Sequence, residues 1–324
     1  MPVKQYQQTK FALGGDISLH LVTDAALSAV EALFSSLWML INAFESHFSR
    51  FLPMSELSVF NRYAGASMHI SPEFRELLIA ANHMSTISGG LYNPFILPAL
   101  QRSGYLKSAV AGDEADIAED HSEKAVAAVD ELSIGDDWAS IPFNSAIDMG
   151  GCGKGYLADQ LRALLAPQNL HGYLLSFGGD IATYGRNQAD ESWSVYIQDA
   201  YNLSGNHSMV VACPDEPFAV ATSGTLRRSR QRAGKPWHHL IDPATFEPAT
   251  TDILLATICA DTTLEADALA SCAVILGSER APKFLLSKGV KAMLLQCQNE
   301  NQSQNFYLQS DYSSGKRLLK SINS

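Results

Sequence analysis

Ten residues near the middle of the chain, Ile147-Asp148-Met149-Gly150-Gly151-Cys152-Gly153-Lys154-Gly155-Tyr156, constrain the fold more than any other stretch. Short apolar segments lead into them, and the following GYLADQLRALLA has the spacing of an amphipathic helix. Four glycines at such a junction let the backbone approach a bulky anion, and the helix start offers free N–H groups. Lys154 adds a full positive charge. Neither familiar nucleotide fingerprint fits. The pattern GxxxxGK[ST] fails because no serine or threonine follows Lys154, and GxGxxG fails because the glycines stand at 150, 151, 153 and 155. The segment alone leaves two readings open: a phosphate cradle, or a tight strand-to-helix turn with an exposed lysine.

The surrounding pattern predicts α+β. Residues 10–22 read as a strand, a Gly-Gly interruption and a second alternating strand. From Asp24, a candidate N-cap, to Phe48, the residues Ala26, Val30, Leu33, Leu37, Ile41 and Phe44 recur at helical steps. A new helix start follows Ser49-Arg50-Phe51-Leu52-Pro53. Another opens at Ser71-Pro72, with serine as cap and proline at the first helical position, and ends near Gly89. YLLSFGGDIATYG is a strand, a turn and a strand, and residues 263–277 form a helix ending at Gly277. Residues 108–126 are small, acidic and poorly patterned, which marks a surface insertion. Strands and helices alternate without a βαβ rhythm and without an internal repeat.

With 324 residues the chain can build one large domain or two lobes. A formal net charge of -11 argues against a general nucleic-acid binder, which needs a basic face. The five cysteines form no CxxC pair and are widely spaced, which argues against a zinc cluster or disulfide framework. The first residues, MPVKQYQQTKFALGGD, contain no uninterrupted apolar h-region and no small-residue cleavage site, and no apolar run approaches the ~18 residues of a membrane span. The expectation is a cytoplasmic protein.

Four further segments carry possible chemistry. Ser176-Phe177-Gly178-Gly179-Asp180 reads first as a hairpin turn. Ala221-Thr222-Ser223-Gly224-Thr225-Leu226-Arg227-Arg228 could grip phosphate or form a solvated turn. Trp237-His238-His239-Leu240-Ile241-Asp242-Pro243 offers a metal ligand or general base, or two structural histidines. In Glu265-Ala266-Asp267-Ala268-Leu269-Ala270-Ser271 a carboxylate and a hydroxyl stand four apart on an otherwise apolar helix face. A carboxylate there is costly unless paired or bound to metal, and hard oxygens at that spacing suit Mg²⁺.

Taken in order, SRFLPMSELSVFN, GGLYNP, IDMGGCGKGYLAD, SFGGD, ATSGTLRR, HLIDPAT and ADALAS resemble the ApbE family of flavin transferases, from about Leu13 to Gly277. The resemblance implies a two-lobed α+β fold with mixed or antiparallel sheets flanked by helices. It also implies Mg²⁺ as cofactor and FAD as substrate. The reaction it implies joins FMN, through its phosphate, to a threonine or serine hydroxyl of an acceptor flavoprotein, and AMP leaves.

Carried over by motif, the metal ligands are Asp267, Ser271 and a backbone carbonyl at Gly151, with serine where the family usually has threonine. The nucleotide contacts are Asp148 and Lys154, the glycine pair Gly178 and Gly179, and Thr222, Ser223, Gly224 and Arg227. The flavin contacts are Phe51, then Ser103, Gly104 and Tyr105, and an N-terminal position at Leu13. The histidine of the HxxDP motif is His239, a base or a phosphate ligand; with Lys154 and Asp267 it makes the implied catalytic set. Tyr92-Asn93, Cys152-Gly153 and Phe246 depart from the family pattern. Water as acceptor would make the same chemistry an FAD pyrophosphatase. A carrier that holds FAD without turnover is the rival reading.

Overall fold

The computed structural model describes residues 2–105, 126–203, 207–226, 229–232, 235–299, 302–310 and 317–323. The predicted insertion therefore lies outside the described residues, apart from Val126. Along the chain run six α-helices among the described residues: α1 (Leu27–Phe48), α2 (Glu56–Arg62), α3 (Pro72–Ser88), α4 (Leu97–Arg102), α5 (Gly153–Leu165) and α6 (Thr263–Ser287). Nine strands make one sheet: β1 (Lys4–Ala12), β2 (Gly15–Thr23), β3 (Gly172–Phe177), β4 (Asp180–Gly185), β5 (Phe218–Gly224), β6 (Ile253–Ala260), β7 (Ala292–Asn299), β8 (Gln302–Ser310) and β9 (Arg317–Asn323). Their order in the sheet is their order in the chain, and every neighbouring pair is antiparallel.

The chain divides into two compact units. The first comprises residues 1–42, 154–226 and 251–324; the second comprises 43–153 and 227–250. The first unit contains the sheet. Its middle strands are buried on both faces, and alternation sorts their side chains. Phe218 and Val220 of β5 join Cys259 of β6, Leu294 of β7, Val195 and Ile197 of a hairpin strand, and Trp193 just before that strand. Ala219 and Ala221 point the other way and meet Ala260 and Ala266, the last on α6. Alanines here let α6 lie close against β5 and β6, so the sheet fixes what α6 carries.

α1 is long and apolar enough, by length and composition alone, to cross a membrane. The count of uninterrupted apolar residues did not anticipate this, because serines and glutamates punctuate the helix. Its buried residues Val30, Phe34, Leu37, Trp38 and Ile41 recur on one side, and Trp38 Nε1 donates to Gln8 Oε1 of β1 at 2.7 Å. That is the pattern of an amphipathic helix packed on a sheet.

In the second unit α2 and α3 start as expected. Ser55 Oγ accepts from Ser58 N, and Ser71 Oγ accepts from Phe74 N with Pro72 next. Phe74 then packs on Phe48 and Phe60 at ring distances of 5.5 and 5.3 Å.

Candidate active site

The site residues of the first unit gather around the start of α6. Thr262 caps the helix, its Oγ1 accepting from Glu265 N at 3.2 Å. One turn on, Asp267 is only 7% exposed, and the backbone N–H of Gly155 donates to its Oδ2 at 3.1 Å. Burial pushes the Asp267 carboxyl up to about 6, against the Gly155 hydrogen bond and the charge of Lys154, while Asp159 pushes it further up. Ser271, one turn beyond, shares a hydrogen bond of 2.8 Å with Ser223 Oγ. Thr222 Oγ1 pairs likewise with Thr257 Oγ1 at 2.8 Å.

Lys154 opens the first-unit part of α5, and its Nζ lies near the turn between β3 and β4. A Cβ on Gly178 would stand 3.8 Å from that ammonium, and one on Gly179 would stand 3.8 Å from the Thr222 carbonyl oxygen. Both glycines have positive φ (+69° and +132°), so Gly178-Gly179 is the hairpin turn read from sequence, and it lies beside Lys154. Thr222, Ser223 and Gly224 end strand β5 rather than forming a solvated turn. The first unit thus brings together Lys154, Gly178, Gly179, Thr222, Ser223, Asp267 and Ser271. Leu13, with φ +53°, sits in the β1–β2 turn. Arg227 lies outside the described residues.

The second unit holds a cluster centred on Arg50. Its guanidinium lies 4.2 Å from the Phe51 ring centroid and 4.7 Å from that of Tyr105. It also donates to the Tyr105 carbonyl at 3.1 Å and approaches Asp148 Oδ1 at 3.4 Å. The Arg50 and Asp148 side chains are almost fully buried, so their charges offset each other with little screening. Tyr105 stands edge-on to Phe51 at 6.2 Å, and its ring centroid is 6.1 Å from His239 and 6.4 Å from Trp237. Ser103 caps α4 by donating to Leu100 O, and Gly104 turns the chain with φ +95°. Phe51, Ser103, Gly104, Tyr105, Asp148 and His239 therefore share one neighbourhood.

The two histidines separate cleanly. His238 is buried, its Nε2 donates to Ala249 O at 2.9 Å, and its Nδ1 accepts from Leu240 N at 3.3 Å. Burial lowers its pKa, so it is a neutral structural residue. Gly151 lies under the Tyr92 ring, which a Cβ there would meet at 3.3 Å. Cys152 is fully buried and takes a hydrogen bond from Tyr92 Oη at 2.9 Å, a poor position for a nucleophile.

Sequence reasoning assigned no role to two charged residues. In the sequence Arg50 is marked only by standing next to Phe51. Asp159 lies on the polar side of an amphipathic helix. Its oxygens accept from Thr263 N and Leu264 N at 3.0 and 2.9 Å, a partnership about a hundred residues distant.

The ApbE family model matches residues 13–294. The FAD:protein FMN transferase of Treponema pallidum is 27% identical over 313 residues, covering 90% of this chain and 85% of that protein. That of Vibrio cholerae is 22% identical over 286 residues, with 86% and 84% covered. Among solved structures, the flavinyl transferase ApbE of Pseudomonas stutzeri superposes with a TM-score of 0.80 at 21% identity, covering 99% of this chain and 96% of that one. The flavin transferase ApbE of Vibrio cholerae gives 0.81 at 20% identity, covering 97% and 100%. The last two fix the fold, and the family model, matched over most of the chain, shows that this protein belongs to the ApbE family.

Proposed function

We propose that this protein is an FAD:protein FMN transferase: it moves the FMN moiety of FAD onto a threonine or serine hydroxyl of an acceptor flavoprotein, releases AMP, and requires Mg²⁺. The observation that carries this reading is the first-unit cluster, where a buried carboxylate, a hydroxyl, an ammonium and a glycine turn stand together on α6, α5 and the sheet. Its donors fit the cation. Asp267 and Ser271 offer hard oxygens four residues apart, and a carboxylate whose pKa burial has raised is one whose charge a cation would stabilise. Bound there, Mg²⁺ would offset charge building on phosphate oxygens.

The remaining roles fall to the chain itself. Lys154 offsets the charge of the pyrophosphate, and the Gly178-Gly179 turn leaves room for it. Phe51 and Tyr105 give ring faces for an isoalloxazine, with Arg50 and Asp148 holding them in place. His239 takes the proton of the incoming hydroxyl while its oxygen bonds to the FMN phosphorus. The bond from that phosphorus to the bridging oxygen breaks, and AMP leaves with the oxygen.

The test is chromatographic. Protein, FAD and Mg²⁺ are incubated with and without a cell extract and scored for AMP and for protein-bound flavin fluorescence, beside EDTA and Asp267→Ala samples. Metal-dependent AMP with a newly fluorescent protein band is expected. AMP without such a band would reassign the protein as an FAD pyrophosphatase. Tight FAD binding with no AMP under any condition would leave only a carrier.

A further inference from the structure

We propose that Asp159 is the positioning residue of the cation site: its carboxylate fixes the start of α6 and thereby places Asp267 and Ser271. The inference rests on the assignment of those two residues to the cation. α6 begins with backbone N–H groups that its own turns cannot satisfy. Thr262 Oγ1 takes that of Glu265, and Asp159 takes the two before it, one on each oxygen: Thr263 N on Oδ1 and Leu264 N on Oδ2. A carboxylate suits this place, since both bonds are charge-assisted and the helix start carries partial positive charge.

The clamp is itself held. Arg162 Nη1 donates to Asp159 Oδ1 at 2.8 Å and to the Asp261 carbonyl at 3.0 Å, tying the carboxylate to the chain that enters α6. One turn before Asp159 on α5, a Cβ on Gly155 would meet the Thr263 carbonyl oxygen at 2.5 Å and Leu264 Cα at 2.8 Å. The two helix starts are therefore in backbone contact, and the Gly155 N–H pins Asp267 Oδ2, which leaves Oδ1 for a cation. Gly155 sets the separation of α5 and α6. Asp159 sets how far α6 is advanced and how it is turned about its axis. At 1.5 Å and 100° per residue, Asp267 and Ser271 lie about 6 and 12 Å along α6 from Thr263, so one small slip displaces both oxygens together.

The test compares two ways of weakening the same helix start. Asp159→Asn removes the charge and one acceptor oxygen; Thr262→Ala removes the other cap and leaves the Asp159 bonds intact. Mn²⁺ is titrated into full-length protein and followed by the EPR signal of free Mn²⁺, and thermal melts in EDTA report stability. Asp159→Asn is expected to weaken Mn²⁺ binding by about 10-fold or more, in the range found when a partner of a metal ligand is lost. Thr262→Ala should change it by less than about 3-fold at comparable loss of stability. Should Asp159→Asn not fold, Arg162→Met, which frees the carboxylate to swing, is expected to weaken binding in the same direction. Equal effects of the Asp159 and Thr262 variants would reduce Asp159 to a helix cap and overturn the proposal. So would wild-type binding by Asp159→Asn (or by Arg162→Met, if it stands in) while Asp267→Ala binds nothing. Wild-type Mn²⁺ binding by Asp267→Ala would instead remove the cation assignment beneath it.

Discussion

Replacing Asp267 with asparagine should make the metal-free protein more stable while abolishing its response to divalent cations. Burial raises the Asp267 carboxyl from 3.8 to about 6, so the folded protein holds this proton more tightly than the unfolded chain does. A carboxylic acid raised in the fold contributes most at low pH. Wild-type stability falls as pH rises through roughly 4 to 6, and above 6 the full cost of the buried charge is present. A shift of about two units is about 3 kcal/mol at 1.4 kcal/mol per unit, and this is a ceiling. Asparagine has nearly the same shape, accepts the Gly155 N–H through its oxygen, and carries no charge. In EDTA at pH 8, Asp267→Asn is therefore expected to melt above wild type by up to about 4 °C, at roughly 1.5 °C per kcal/mol for a chain of this length. The two should converge toward pH 4. Saturating Mg²⁺ reverses the order: at about 1,000 times its dissociation constant it adds about 4.1 kcal/mol to wild type, more than that ceiling, and nothing to the variant. The assay is differential scanning fluorimetry across pH, with EDTA or Mg²⁺. A variant that melts below wild type in EDTA at pH 8, or that gains equally from Mg²⁺, would refute the argument.

Two further outcomes follow from the same geometry. Gly155→Ala forces a Cβ against backbone atoms of α6 at 2.5 and 2.8 Å, which cannot move aside cheaply, and should cost about 3 kcal/mol in denaturant unfolding. Gly153→Ala, whose new Cβ would meet Phe44 Cζ at 3.4 Å in ordinary contact, should stay within about 1 kcal/mol of wild type and serves as the comparison. His238, lowered by burial, contributes stability that is fully present above its unfolded pKa of about 6.5 and is lost as pH falls, since a proton on Nδ1 displaces the Leu240 N–H. Melts from pH 8 to 5 should show His238→Gln less stable than wild type at neutrality but with a flatter acid limb; parallel limbs would exclude this role.

What the sequence disclosed was what neighbouring residues decide. Ser71-Pro72 and Gly89 bound α3 as read, because capping is settled within four residues. α1 starts at Leu27, not after Asp24: Thr23 Oγ1 takes the Ala25 N–H, and Asp24 faces His171 instead. Gly277 does break the helix, with φ +73°, yet α6 resumes beyond it because Asp252 accepts from both Ser278 N and Ser278 Oγ. That cap comes from 26 residues upstream and leaves no local mark. Of the candidate site, the carboxylate and hydroxyl of α6 were legible from their four-residue spacing on an apolar face. The roles of Asp159 and Arg50 were not, since each depends on partners that only the sheet and the aromatic cluster bring near. Ala221-Thr222-Ser223-Gly224 looked like a turn by composition and is a strand, since pairing with β6 outweighs its weak local preference.

The meander of the sheet is simple in order but not in time. β2 and β3 lie side by side, yet Ile17 and its partner Phe177 are about 160 residues apart, with the long segment of the second unit between them. Closing a flexible loop of that length costs about 4.5 kcal/mol of chain entropy. The cost falls if the intervening segment has already collapsed around Phe48, Phe60 and Phe74. A substitution such as Phe74→Ala would then slow the zipping of β2 onto β3 without touching either strand, which pulsed hydrogen exchange on the β3 amides would register. The smaller unit thus has a kinetic part in the larger one's assembly: it is the knot that shortens the rope.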